Sequence, residues 1–153
     1  MSGTLAIRNR QQVRPVNVRL LRRVTFHLLR EEFGVTEFEL CVHLVAAPEM
    51  ARLNWDFLRH QGSTDIITFD SSESVAGRMA GELFICLDDA VKQAREFGTT
   101  WQSELARYVI HGLLHLRGFD DLTPAARRIM KREENRLLRG AERTFPIPQL
   151  HKA

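Results

Sequence analysis

The residues best suited to chemistry lie in one short stretch, H-G-L-L-H-L-R-G-F-D-D, residues 111–121. His111 and His115 are four apart, so on a helix both imidazoles leave from one face about a turn apart. Two imidazoles at that spacing can chelate one metal ion. Gly118 then breaks the helix, and the chain beyond it can turn a carboxylate toward the same ion. Asp120 and Asp121 are the candidates, and the spacing favours Asp121, with Asp120 placed to cap the turn that delivers it.

The resulting pattern, H-x-x-x-H-x-x-G-x-x-D, has the geometry of the metzincin motif with a carboxylate in place of the third imidazole. Two histidines and a carboxylate form a zinc donor set that leaves a fourth position open. An ion so held polarises a phosphoryl or carbonyl oxygen and lowers the pKa of its water toward about 7. In the peptidases the residue after the first histidine is a glutamate that acts as general base. Here it is Gly112, which counts strongly against a peptidase. A mid-helix glycine also costs roughly 1 kcal/mol against alanine and needs a reason, such as close approach of substrate or of another chain segment.

These residues must be positioned by the elements around them. Alternation of Leu5 and Ile7 with polar neighbours marks a strand over 4–9, and Phe38, Leu40, Val42 and Leu44 mark another over 38–46. Leu20, Leu21, Val24, Leu28 and Phe33 recur at helical spacing from Val18 to Phe33, ended by Gly34. Pro48 opens a short helix through Leu58. The β-branched and aromatic run S-T-D-I-I-T-F-D predicts a strand over 63–70, a polar loop over 71–80, and G-E-L-F-I-C-L a strand over 81–87. Asp88 is the expected N-cap of a helix to Phe97 closed by Gly98. Thr99 or Thr100 caps the next helix, from Trp101 to about Arg117. Thr123 and Pro124 start the last, which is expected to end at Arg139 before Gly140, with an irregular tail from Arg143. These elements predict a single α+β domain over 1–153: one small mixed sheet of about four strands packed by about five helices, one of them a zincin-like metal helix.

At 153 residues, 44% hydrophobic and 27% charged, the chain has the composition of an ordinary globular domain. No run of about 18 apolar residues exists to span a bilayer, and the N-terminal segment has no apolar leader core, so a cytoplasmic location is expected. Cys41 and Cys86 lie in apolar strand-like runs and read as free thiols. The net charge of +3 is unevenly spread. Arg8, Arg10 and Arg14 precede the helix from Val18 and Arg19, Arg22, Arg23 and Arg30 lie on it, with no acidic residue before Glu31. A second basic stretch, Arg127 to Arg143, is diluted by Glu133, Glu134 and Glu142. Such clusters suit a phosphate-rich partner but equally suit solvated helix faces.

The blocks H-G-L-L-H-L-R-G-F-D, S-T-D-I-I-T-F and G-E-L-F-I, in their order and separation, resemble the YbeY family of bacterial endoribonucleases, over roughly residues 15–139. The resemblance implies a cytoplasmic, monomeric endoribonuclease with one Zn2+ ion, cutting single-stranded RNA. It further implies action on 16S rRNA, in 3′-end maturation and quality control of the small ribosomal subunit. Its metal ligands map onto His111, His115 and Asp121. The family's usual third ligand is a histidine, so Asp121 adds a negative charge to the ion and predicts a weaker Lewis acid. The family also carries an arginine six residues before the threonine of T-D. That position is Leu58 here, and Arg59, the next residue, is the candidate phosphate partner. Asp65 and Glu82 match acidic positions of the family blocks; each is a candidate for orienting a metal-bound histidine or acting as base. His27, His43, His60 and His151 have no spacing partner. The competing readings are a zincin-like metallopeptidase and a non-catalytic assembly factor with a structural metal. A closed four-ligand site would mark the latter, and the sequence offers three ligands.

Overall fold

The chain alternates strand and helix early and gathers its long helices late, and that order decides the layers. A computed structural model describes residues 2–71 and 77–152. Strand β1 (Ser2–Asn9) is followed by α1 (Val18–His27), β2 (Glu37–Val45), α2 (Ala47–Leu58), β3 (Ile66–Asp70) and β4 (Arg78–Cys86). Then come α3 (Leu87–Phe97), α4 (Trp101–Leu116), α5 (Pro124–Thr144) and a 3-10 turn, Ile147–His151. The sheet order is β1-β2-β4-β3, with β1, β2 and β4 parallel and β3 antiparallel to β4 at the edge. The α+β architecture with a four-stranded mixed sheet and five helices is therefore as expected.

Period-2 alternation divides the sheet into two faces. Phe38, Leu40, Val42 and Leu44 of β2 and Met79, Leu83 and Ile85 of β4 join one core with α1, α4 and α5. Val45, Phe84, Cys86 and Ile67 point to the other face, where Met50 and Leu53 of α2 cover them. The site-bearing helix α4 lies on the first face. Its Leu105, Val109, Ile110 and Leu113 are fully buried. Gly112 explains how close it comes: a Cβ there would stand 2.8 Å from the Leu83 methyls and 2.9 Å from Ile66 Cδ1. Of the two reasons a mid-helix glycine could have, another chain segment is the one observed.

Several boundaries differ from expectation, each for a local reason. The helix from Val18 changes to a wider π turn over Leu28–Glu32, which keeps Leu28 and Leu29 buried. Residues 63–65 stay outside β3. Of the expected loop 71–80, residues 72–76 lie outside the described residues, and Arg78–Ala80 extend β4 in register with Glu37–Glu39. Asp88 does not cap α3, which starts one residue earlier; its carboxylate accepts from Ala47 N at 2.5 Å and so caps α2 instead. Thr100 Oγ1 caps α4 and Thr123 Oγ1 caps α5. Gly140 does not end α5, because burial of Leu137, Leu138 and Ala141 outweighs the cost of one glycine. Nor is the tail irregular. Ile147 and Leu150 are buried in the main core, and Leu150 O accepts from Asn17 N, the residue that caps α1.

Candidate metal centre

The capped helix α4 presents His111 and His115 on one face in its last turns, as i, i+4 spacing requires. At its end, Gly118 takes a left-handed φ of +101° that an L side chain resists. The chain can then reverse, and Asp120 Oδ1 accepts from Leu122 N to cap the turn. Arg127 at the start of α5 donates to the Asp121 carbonyl. The turn delivers the Asp121 side chain back over α4. His111 Nε2 is 3.0 Å from His115 Nε2, and each is 3.8 Å from Asp121 Oδ2. Donors about 2.1 Å from a shared tetrahedral ion stand roughly 3.4 Å apart. The triangle therefore has the size a zinc-type ion requires, and its nitrogen and oxygen donors suit one.

The orientation of His111 has a partner that the sequence did not single out. Glu134 of α5, buried, accepts from His111 Nδ1 at 2.5 Å and also from Arg107. With Nδ1–H committed to the carboxylate, Nε2 faces the triangle with its lone pair, the arrangement that positions a metal-bound histidine. Burial lowers the proton affinity of His111, but the hydrogen bond and charge of Glu134, helped by Asp121 and Asp65, raise its pKa overall. His115 moves the other way: burial and the neighbouring His111 lower its pKa, against the pull of Asp121. The only sequence signal for Glu134 was its helical phase: it sits one turn past Met130, on the buried side of α5.

The remaining candidates fall out differently. Asp65 lines the cleft that holds the triad, together with Leu58, Ile66 and Thr68. It makes no histidine hydrogen bond among the described residues; its Oδ1 accepts from Ile66 N. Glu82 does not reach the centre. It alternates with Leu83, so it projects to the opposite face of the sheet, where it accepts from His43 Nε2 at 2.7 Å. His43, unpartnered in the sequence, also receives Arg10 at Nδ1 and stacks on Phe84. Cys41, His43 and Glu82 thus form a compact cluster, but both imidazole nitrogens are already engaged. Arg59 is the left-handed C-cap residue of α2, φ +57°, with its guanidinium over the Trp55 ring. Leu58, the residue before it, lines the cleft. Cys41 and Cys86 are free, and no helix among the described residues is long and apolar enough to cross a membrane.

Two clefts meet at the triad. One, walled by the edge strand β3, contains His111, His115, Asp121 and Asp65; the other, of about 400 Å³, runs between His111, Asp121 and the first turns of α5. The family model described as Endoribonuclease YbeY matches residues 6–142. Among curated relatives, the Endoribonuclease YbeY of Salinibacter ruber is 33% identical over 151 residues, 94% of each chain. That of Parabacteroides distasonis is 38% identical over 108 residues, 71% of this chain and 75% of its own. The solution structure of TM1509 from Thermotoga maritima superposes with a TM-score of 0.65 at 26% identity, covering 90% of this chain and 89% of that one.

Proposed function

The chain belongs to the YbeY family of endoribonucleases, and from that premise we propose that it cleaves single-stranded RNA at a zinc centre held by His111, His115 and Asp121. The observation that carries the metal assignment is the convergence of these three donor atoms within 4.8 Å of one another, at the floor of two open clefts. A divalent ion supplies Lewis acidity toward a phosphoryl oxygen and an attacking hydroxyl.

The protein's own groups do the rest. Glu134 fixes the His111 ring so that Nε2 faces the centre. Asp65 lines the same cleft as the triad, which supports it as the carboxylate that accepts a proton from an attacking hydroxyl. Leu58 and Ile66 give that cleft an apolar wall against which an unstacked base can lie. No glutamate follows His111, and Gly112 is spent on packing against the sheet, so the position that serves peptide hydrolysis in zincins is empty of a base. The cellular substrate we propose is 16S rRNA, at its 3′ end, within the small ribosomal subunit in the cytoplasm, with the enzyme acting as a monomer.

The test uses purified protein with zinc or with chelator, given single-stranded RNA or casein, alongside His115→Ala. RNA should be cut only by the metal-loaded wild type, and casein should survive. Intact RNA with loaded wild type, or cleavage that persists in chelator, would defeat the reading.

A further inference from the structure

In the sequence, the basic run of α5 is diluted by Glu133 and Glu134; in the folded chain the charges separate. Glu134 turns inward to His111 and Arg107, and Glu133 is held by Arg136. Arg127, Arg128, Lys131 and Arg132 are left exposed. Arg127, Arg128 and Lys131 wall the second cleft, which shares His111 and Asp121 with the metal centre. A shallow groove continues it along the helix past Arg128 and Lys131 to Arg132 and Arg139. From Arg127 to Arg139 the helix advances about 18 Å, enough for several phosphates of a single strand. Ile129, 44% exposed in the same groove, offers apolar contact to a base. The other cleft has Asp65 and an apolar wall instead.

We infer that one arm of a single-stranded RNA leaves the metal centre along α5, its phosphates held by Arg128, Lys131 and Arg132, while the other arm crosses the β3 cleft with little charge pairing. This rests on the nuclease reading and adds which arm of the substrate carries the electrostatic binding. Phosphate contacts release counterions, so their number is legible in the salt dependence of binding.

The experiment measures affinity of the full chain in chelator for a short fluorescein-labelled single-stranded oligoribonucleotide, by anisotropy across a salt series. In the variant Arg128→Gln/Lys131→Gln/Arg132→Gln the slope of log affinity against log salt should flatten by about 2, with binding on the order of 10-fold weaker or more at low salt. The control Arg19→Gln/Arg23→Gln removes two positive charges from α1, away from the centre, and should leave the slope near wild type. An unchanged slope in the α5 variant, or an equal change in the α1 control, overturns the inference. Adding zinc afterwards separates the two ideas: RNA bound through α5 yet never cut defeats the nuclease reading alone, and RNA cut with an unchanged α5 slope defeats this one alone.

Discussion

Glu134 Oε2 and His111 Nδ1, 2.5 Å apart, join α5 to α4 directly behind the candidate ligand nitrogen. Glu134 is buried and also bound by Arg107, so the imidazole is held from a rigid position. Outer-shell partners of this kind are worth about 10–100-fold in metal affinity. Glu134→Gln, which keeps the shape and removes the charge, should weaken zinc binding by that order in a chelator competition, with the fold intact by circular dichroism. Wild-type affinity in Glu134→Gln would show that the contact is structural only.

Gly112→Ala sets two effects against each other. Alanine regains about 1 kcal/mol of helix propensity, but its methyl would stand 2.8 Å from the Leu83 methyls, and Leu83 is fully buried with nowhere to move. Overpacking a closed core costs typically 1–3 kcal/mol, so the net effect should be a loss of up to about 2 kcal/mol. Because α4 must shift away from the sheet, zinc affinity should fall with it. A denaturation midpoint at or above wild type would overturn this.

The Glu134–His111 pair should also be visible in the pH dependence of the metal-stripped protein. Despite burial, the His111 pKa is raised above its ordinary 6.5 by Glu134, so its contribution is full below that pH and is lost as pH rises through the folded value. Burial opposes ionisation of Glu134 too, but His111 and Arg107 lower its pKa below 4.5, so its contribution is present above that pH and lost on acidification. In chelator, melting temperature should therefore decline as pH climbs past 6.5, more steeply for wild type than for Glu134→Gln. With zinc the trend should reverse, because protons then compete with the ion for His111. Parallel curves for the two proteins in chelator would sink the proposal.

The neighbours Leu58 and Arg59 invite a paired substitution. Arg59 caps α2 over Trp55, whereas Leu58 lines the cleft beside the triad. Arg59→Ala should leave cleavage within about twofold, since its guanidinium packs on Trp55 and the cleft beside the triad is lined by Leu58 instead. Leu58→Arg should place a guanidinium against the scissile phosphate and raise kcat on the order of 10-fold, less than the full worth of an evolved donor. A large loss in Arg59→Ala would return the phosphate role to that residue.

What could be read from the residues and what could not divides by range. The i, i+4 histidines, the glycine stop and the third candidate ligand are local: helical periodicity pairs the histidines, and the turn after Gly118 with its spacing points to Asp121. Glu134 is 23 residues from His111, and no local pattern connects them; only the packing of α5 on α4 does. Glu82 looked eligible because one strand cannot reveal which face its neighbours bury, and the register of Leu83 decided it. Asp88 has the residue type and position of a cap for its own helix, but the parallel pairing of β2 with β4 brings the start of α2 within reach of its carboxylate. The tail looked irregular because Pro146 and Pro148 mask a 3-10 turn whose Ile147 and Leu150 are needed to close the core.

Asp121 is the one carboxylate of the proposed donor set, and its charge acts on both imidazoles. It raises the proton affinity of His111 and of His115, and as a ligand it adds a negative charge to the donor set. Asp121→His would make the set neutral while keeping three donors, whereas Asp121→Ala would leave two. Zinc affinity should therefore collapse in the alanine variant and persist in the histidine one. In chelator, the two original histidines should titrate at lower pH in both variants, by NMR of their ring protons. In the loaded protein, the rate–pH profile of Asp121→His should move to lower pH, because a less negative donor set leaves the ion a stronger Lewis acid. Histidine titrations and a rate profile that match wild type would place Asp121 outside the metal centre.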